Sequence, residues 1–346
     1  MRTARRSKRP TLASVAREAG VSIGTASNIL SNKLELHSPE TVQRVLSVAQ
    51  QLGYRPNRLA RSLVAKCTHT IGVVMEPTHT VFTRNPYASA VLDGVLECLM
   101  ERHYHLKLVT MAEAQPRTLW MQIDDGSMDG AIVICPLDDS PLLEWYAHTS
   151  LPCVSVGSLV PAERGIYCVD SDSEHGIRLA TEHLLELGHR KLGFVRGPEN
   201  QFSAYQREQA FRAVLKTYEI PVVEGWIQGD GYEIESGYHG MQAILAQPSL
   251  PTGVVASNDL VAMGALRACL DHGLSVPEDV SIVGYDDFPG ASVVNPPLTT
   301  VRNDIHGIGH HAAEVLIEQI ETGTLRSGVR LFAGEMVVRG STAPPK

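Results

Sequence analysis

The hydrophobic positions of this chain fall into two regimes that meet near residue 67. In the first, apolar residues recur at helical spacing. Leu12, Val15, Ala16 and Ala19 follow the i, i+3, i+4, i+7 pattern of one buried helical face, with Thr11 placed as N-cap and Gly20 as the stop. Ser22 then caps a second short helix running to Leu30. Ser38-Pro39-Glu40 opens a third, whose core face is Val42, Val45, Leu46, Ala49 and Leu52, and Gly53 closes it. Two short helices joined by so tight a glycine turn cannot lie antiparallel, so the second projects its N-terminal residues outward. Those residues are Ile23, Gly24, Ser27 and Asn28. The pattern fits a helix-turn-helix and, taken alone, also an ordinary helical hairpin.

From Thr70 the cadence changes to short continuous apolar runs separated by amphipathic stretches. Ile71–Met75, Leu106–Val109, Gly130–Ile134, Cys153–Val156, Lys191–Val195, Gly253–Ala256 and Val280–Gly284 read as strands; 88–102, 174–187, 203–218 and 259–272 read as helices between them. Buried apolar strands alternating with helices predict parallel sheets covered on both faces. Their number predicts two α/β lobes with a cleft at the carboxyl ends of the strands, where ligands bind in such sheets. The residues at strand ends are therefore the candidates for binding: Asn258, Asp286, and Arg207 on the helix after Gly197–Gln206. An amide, a carboxylate and a guanidinium together suit a polyhydroxylated ligand. Helix capping and loop closure are the structural alternatives for Asn258 and Asp286.

Between the two regimes, Tyr54–Lys66 starts helical, with Asn57 as cap, but has length for only about two turns, which is marginal for an isolated helix. It suits a segment that is helix when supported and coil when free, or a plain linker. Its Arg58, Arg61 and Lys66 charges and its large apolar Leu63 favour contact with nucleic acid.

Charge separates the regimes more sharply than hydropathy does. The chain has a formal net charge of −8, yet residues 1–66 carry twelve Lys and Arg against three Glu, a net of +9, leaving −17 on the rest. A basic head on an acidic body is the electrostatic footprint of nucleic-acid binding, and the short helices lack the broad apolar face that a membrane-surface patch needs. The basic N-terminus is followed by no apolar segment and no apolar run spans a bilayer, so neither export nor membrane insertion is expected. Six scattered cysteines without CxxC spacing fit a reducing cytoplasm. His306, His310 and His311 share a helix but lack further ligands in register, so no metal is expected, and no cofactor either. Gly307-Ile308-Gly309 imitates a dinucleotide fingerprint, but no apolar strand is read before it. No GxSxG, P-loop or HExxH motif occurs, so no catalytic residues are assigned and an enzyme is not expected.

Several stretches together resemble the LacI/GalR family of bacterial transcription regulators: Thr11–Ala16, Ala19–Ser22, Thr25–Ser27, Gly53–Asn57, Glu186–His189, Ser257–Asp259, Val283–Asp287 and Pro297–Val301, in the family's order over nearly the whole chain. The resemblance implies a small all-α helix-turn-helix head on an α/β body like a two-lobed periplasmic binding protein. It divides the chain into a head at 1–56, a hinge helix and linker at 57–67, and an effector-binding and dimerisation domain at 68–346. Within that domain the first lobe takes about 68–166 and 302–326, and the second about 167–301 and 327–346. The function implied is a repressor, a cytoplasmic, nucleoid-associated homodimer on a palindromic double-stranded DNA operator, controlled by a small effector of carbohydrate type. A sugar receptor of transport type is the competing reading, opposed by the basic head. By the same resemblance DNA contacts fall on Thr11, Ser22, Ile23, Gly24, Thr25, Ser27, Asn28, Tyr54, Asn57, Arg58, Arg61 and Leu63, with Leu63 wedging between base pairs. Effector contacts fall on Arg207, Asn258 and Asp286; Ser203 and Tyr232 are partial matches, and Tyr87 and Phe202 are added as aromatics for stacking on a sugar ring. The sequence departs from the family pattern at Gly24 and Asn28, which removes long base-reading side chains. It departs again at Gly157, where some sugar-responsive members have an aspartate, and in a long loop at 76–85 that puts His79, Phe82 and Arg84 near the cleft mouth.

Overall fold

The computed structural model describes residues 10–55, 67–75, 84–110, 123–146, 148–159, 162 and 165–346. It separates into two compact units, residues 1–68 and 69–346. In the first, α1 (Leu12–Glu18), α2 (Ile23–Leu30) and α3 (Pro39–Gln51) enclose a core of Val15, Ala16, Ala19, Ala26, Ile29, Val45 and Ala49. Each helix begins on a hydroxyl cap. Ser14 Oγ and Thr11 Oγ1 exchange bonds with each other's backbone amides, and the Ser22 hydroxyl accepts from the Thr25 amide at 3.0 Å. Gly20 and Gly53 both take φ of 64°, the left-handed turn that lets each helix stop within one residue. A short 3₁₀ turn, Leu34–Leu36, lies in the loop between α2 and α3.

The second unit contains two six-stranded sheets. The first has the order β11-β5-β4-β3-β1-β2, all parallel, from β1 (Thr70–Met75), β2 (His105–Thr110), β3 (Gly130–Ile134), β4 (Cys153–Val156), β5 (Tyr167–Ser171) and β11 (Gly328–Phe332). The second has the order β12-β10-β9-β8-β6-β7, from β6 (Leu192–Val195), β7 (Ile227–Gln228), β8 (Gly253–Ala256), β9 (Ser281–Asp286), β10 (Thr299–Arg302) and β12 (Glu335–Val337); only β12 runs antiparallel to its neighbour. Among the described residues the helices are α4 (Pro86–Glu101), α5 (Pro141–Tyr146), α6 (Ser173–Glu186), α7 (Phe202–Thr217), α8 (Ile234–Leu245), α9 (Asp259–Asp271) and α10 (Ile305–Thr322). The short α5 and the glycine-containing α8 have no counterpart in the sequence reading.

The chain passes between lobes three times, near 172, at 303–304 and at 333–334. Two crossings fall about five residues later than the resemblance implies. Tyr167–Ser171 pairs with β4 and buries Cys168 and Val169 against the first lobe, and Gly328–Phe332 pairs with β5 in turn, so both strands belong to the first lobe. A strand does precede Gly307, though not an apolar one: β10 ends at Arg302, and its Thr299 and Thr300 are fully buried polar residues held by hydrogen bonds. The helix after it nevertheless leaves the sheet for the other lobe. Its glycine serves helix packing, since a Cβ at Gly309 would overlap the Val91 carbonyl oxygen of α4, and one at Gly94 would overlap that of His306. His306 and His310 lie alongside Glu97 and Glu101 of α4 on this same face.

Candidate functional site

The carboxyl ends of the strands bring charged side chains from both lobes to one buried cluster. Asp170 comes from β5, Asp286 from β9, and Arg207 from the second turn of α7; each is 3–5% exposed. Arg207 Nη1 donates to the Ser257 carbonyl at 2.6 Å and Nε to Ser173 Oγ at 3.4 Å, while the guanidinium carbon lies 4.1 Å from the centre of the Tyr285 ring and 5.6 Å from that of Tyr232. Asp170 Oδ1 accepts from the Ser171 amide at 2.7 Å and from the Tyr87 hydroxyl at 3.2 Å. Asp286 Oδ1 accepts from Asn303 Nδ2 at 3.1 Å. Neither carboxylate takes a hydrogen bond from Arg207. Among the described residues each keeps a second oxygen without a donor, and the remaining guanidinium nitrogen has no acceptor.

The electrostatics follow from that arrangement. Burial pushes Asp170 and Asp286 up to about 6 despite the Arg207 charge that opposes it. Burial by itself would lower Arg207, but Tyr232, Asp286, Tyr285 and Asp170 hold it above its ordinary value. Burial also raises the Tyr87 and Tyr232 phenols and takes the Cys135 thiol up to about 12, so these remain protonated donors. Two acceptors and a fork of donors, buried together without a hydrogen bond between them, form a set that a neutral ligand bearing several hydroxyl or amine groups satisfies.

Of the effector candidates, Arg207, Asn258, Asp286, Ser203, Tyr232 and Tyr87 come together. Ser203 Oγ lies 3.0 Å from Tyr232 Oη, and Asn258 Nδ2 donates to the Tyr232 carbonyl at 3.1 Å while its Oδ1 caps α9 through the Val261 amide. Binding and capping are thus compatible for Asn258. Phe202 is the first residue of α7, and its backbone amide donates to Asp138 Oδ1 at 3.1 Å. Asp170, Asn303 and Tyr285 were missed. Asp170 ends an apolar run, Cys168-Val169, just as Asp286 does, so the strand-end argument would have found it had so short a strand been recognised. Gly157 takes φ of 76°, and a Cβ there would stand 2.6 Å from Cys135 Sγ and 3.3 Å from the Tyr87 hydroxyl; the tyrosine fills the place of a side chain. Arg84 is exposed, and His79 and Phe82 lie outside the described residues.

Beside this cluster the backbone does something unusual. Asp286 and Asp287 take consecutive positive φ values, 109° and 57°, which non-glycine residues adopt only when their surroundings hold them. Asp287 accepts from Arg302 Nε at 2.8 Å and from Arg339 Nη2 at 2.6 Å, joining the segments around the second and third crossings. Asp259 accepts from the next amide, that of Phe288, at 2.7 Å and from the Thr300 hydroxyl at 2.6 Å.

In the head, Ile23 is 55% exposed and Gly24 is open, with only Ser22 Oγ within 4 Å of a Cβ placed there. Ser27 and Asn28 are half-buried on α2, and Thr25 is tied to Ser22 through their hydroxyls at 2.9 Å. Tyr54 packs against the head's core, and Thr11 is exposed at the capping box. Asn57, Arg58, Arg61 and Leu63 lie outside the described residues.

Residues 11–57 match the profile of bacterial regulatory proteins of the lacI family, and residues 181–342 match that of a periplasmic binding protein-like domain. The transcriptional repressor PurR of Haemophilus influenzae is 32% identical over 319 residues, covering 90% of this chain and 91% of that protein. The transcriptional regulator CelR of Thermobifida fusca is 32% identical over 329 residues, covering 94% and 96%. Among solved structures, a complex of the transcriptional regulator CelR with cellobiose superposes with a TM-score of 0.75 at 30% identity over 96% of this chain and 100% of that one. The Lac repressor dimer bound to operator and the anti-inducer ONPF gives 0.85 at 27% identity over 97% and 100%. A DNA-binding head joined to a ligand-binding body separates the chain from transport receptors and from enzymes: it belongs to the LacI family of bacterial transcription regulators.

Proposed function

We propose that the chain is a homodimeric repressor, working in the cytoplasm, that holds a palindromic operator and changes its hold when a sugar or sugar derivative enters the cleft. The observation that carries the effector class is the set of Asp170, Asp286 and Arg207, buried together with no hydrogen bond among the three. A ligand without hydrogen-bond donors would leave two buried carboxylates unsatisfied, at a cost of about 1–3 kcal/mol per group, whereas vicinal hydroxyls donate to both. A regulator solved with cellobiose (30% identical) and the repressor PurR (32% identical) lie at similar distance from this chain, so identity does not choose between them. Effector contacts on this reading are Arg207, Asn258, Asp286, Ser203, Tyr232, Tyr87 and Phe202, with Asp170 and Asn303 added. Residues 1–56 form the head, 57–67 the hinge helix and linker, and 68–346 the effector and dimerisation domain. The contacts to DNA fall on Thr11, Ser22–Thr25, Ser27, Asn28, Tyr54, Asn57, Arg58, Arg61 and Leu63. Asn28 suits adenine through its paired donor and acceptor, while Ile23 suits thymine methyl groups.

Selection of bound sequences from random DNA, followed by titration of the enriched operator complex with cellobiose, glucose, ribose, hypoxanthine and guanine, tests both halves. A palindrome with steep salt dependence is expected, with operator affinity changed by a saccharide. No enriched palindrome would remove the DNA reading; response to a purine alone would remove the carbohydrate one.

A further inference from the structure

α7 carries Ser203 and Arg207 into the cleft, yet its own N-cap residue, Gln201, makes no side-chain capping bond. α6, α9 and α10 are each capped by their own N-cap side chains, Asp172, Asn258 and Asp304. For α7 the cap comes from the other lobe. Asp138, in the loop after β3, accepts from the Phe202 amide through Oδ1 at 3.1 Å, and its own amide donates to the Asn200 carbonyl at 3.1 Å. The pair of bonds is reciprocal and spans the cleft.

Its location gives it leverage. The crossings leave the sheets at β5 and β11 on one side and at β10 and β12 on the other. β3 is two strands away from β5, and β6, which leads to Asn200, is three strands away from β10. At about 4.8 Å per strand the Asp138 contact stands roughly 10–14 Å from the crossings. Hinge-side contacts, such as the Tyr285 hydroxyl on Ser171 Oγ at 3.5 Å, change little when lobes rotate about the crossings, but a contact this far out is broken early.

We infer that Asp138 is a positioning residue, a latch that caps α7 only while the lobes are closed and so couples closure to the placement of Ser203 and Arg207. Opening the cleft leaves the first amide of α7, that of Phe202, uncapped, and ligand-binding geometry and lobe closure become one equilibrium. The inference rests on the cleft alone and not on the identity of DNA or effector, so its failure would leave the proposed function standing.

Hydrogen exchange of the full-length protein, without added ligand, tests it. In Asp138→Ala the Phe202 amide, and with it the Ser171 amide of the opposite lobe, exchange about fivefold faster, as loss of a typical cap implies. The His175 amide, capped by Asp172 within the second lobe, stays unchanged. Asp138→Asn keeps an acceptor oxygen and stays within about twofold of the parent, as does Asp139→Ala. Faster exchange at Phe202 without any at Ser171 would reduce Asp138 to a local cap and overturn the latch; so would unchanged exchange at both, or equal effects from Asp139→Ala.

Discussion

The Arg207 guanidinium carbon stands 4.1 Å from the centre of the Tyr285 ring, while one nitrogen holds the Ser257 carbonyl. The arginine is thereby fixed before any ligand arrives, and little side-chain entropy remains to be lost on binding. Replacement by alanine should abolish effector response while leaving operator affinity without effector within about twofold. It should also lower the melting temperature by several degrees, since removing one member of a buried charged set costs about 3–5 kcal/mol. Arg207→Lys should respond no better, because an ammonium cannot reach Ser257 and Ser173 as a fork. Operator-binding curves with and without saccharide, together with thermal melts, check both outcomes.

Asp259 gives the body an inverted pH dependence. Burial raises it to about 8, with Asp286 adding to the effect and the Thr300 hydroxyl opposing it, against about 3.9 in an unfolded chain. Between those values the unfolded chain has released this proton and the folded one retains it, so stability falls as pH rises through the window and levels off above pH 8. Asp170 and Asp286 act in the same direction up to about pH 6. His183 and His189, lowered by burial, act oppositely but only below about pH 6.5. Melting temperature should therefore drop from pH 6.5 to 8 in the parent and stay flat in Asp259→Asn. A slope shared by both proteins would assign it to other groups.

Gly309→Ala should separate α10 from α4, because the added methyl overlaps the Val91 carbonyl oxygen and backbone cannot yield as a side chain can. Overpacking of this kind costs about 1–3 kcal/mol, which in a body of this size lowers the melting temperature by roughly 5 °C. Calorimetry should resolve the loss in the transition of the body and none in that of the head.

Leu63→Ala should weaken binding to the selected operator far more than binding to unrelated DNA, since a wedge acts through a kink that only the specific complex forms. Gel-shift titrations on both DNAs at one salt concentration measure the ratio. Equal losses would take Leu63 out of the minor groove.

The head was legible almost to the residue, because a helix announces its ends: Thr11, Ser22 and Ser38 cap where the sequence places them, and Gly20 and Gly53 turn where it stops. Arg207, Asn258 and Asp286 were legible as strand-end chemistry. Asp170 was not, because β5 buries only two apolar residues before turning polar, and periodicity has too little to work on. β10 escaped for the related reason that its threonines are buried by hydrogen bonding. Tertiary partners such as Asn303 for Asp286, or Asp138 for α7, lie far apart in sequence and leave no local trace.

The adjacent left-handed pair Asp286-Asp287 has an evolutionary corollary. One carboxylate belongs to the proposed effector cluster and its neighbour grips Arg302 and Arg339, so the proposed sensing group and the hinge are a single peptide unit apart. On the proposed function, substitutions around Arg339 retune how strongly the lobes respond without altering what the cleft accepts, and changes at Tyr87 or Gly157 alter what it accepts without touching the response. A lineage can thus inherit a working switch and exchange its signal, one property at a time.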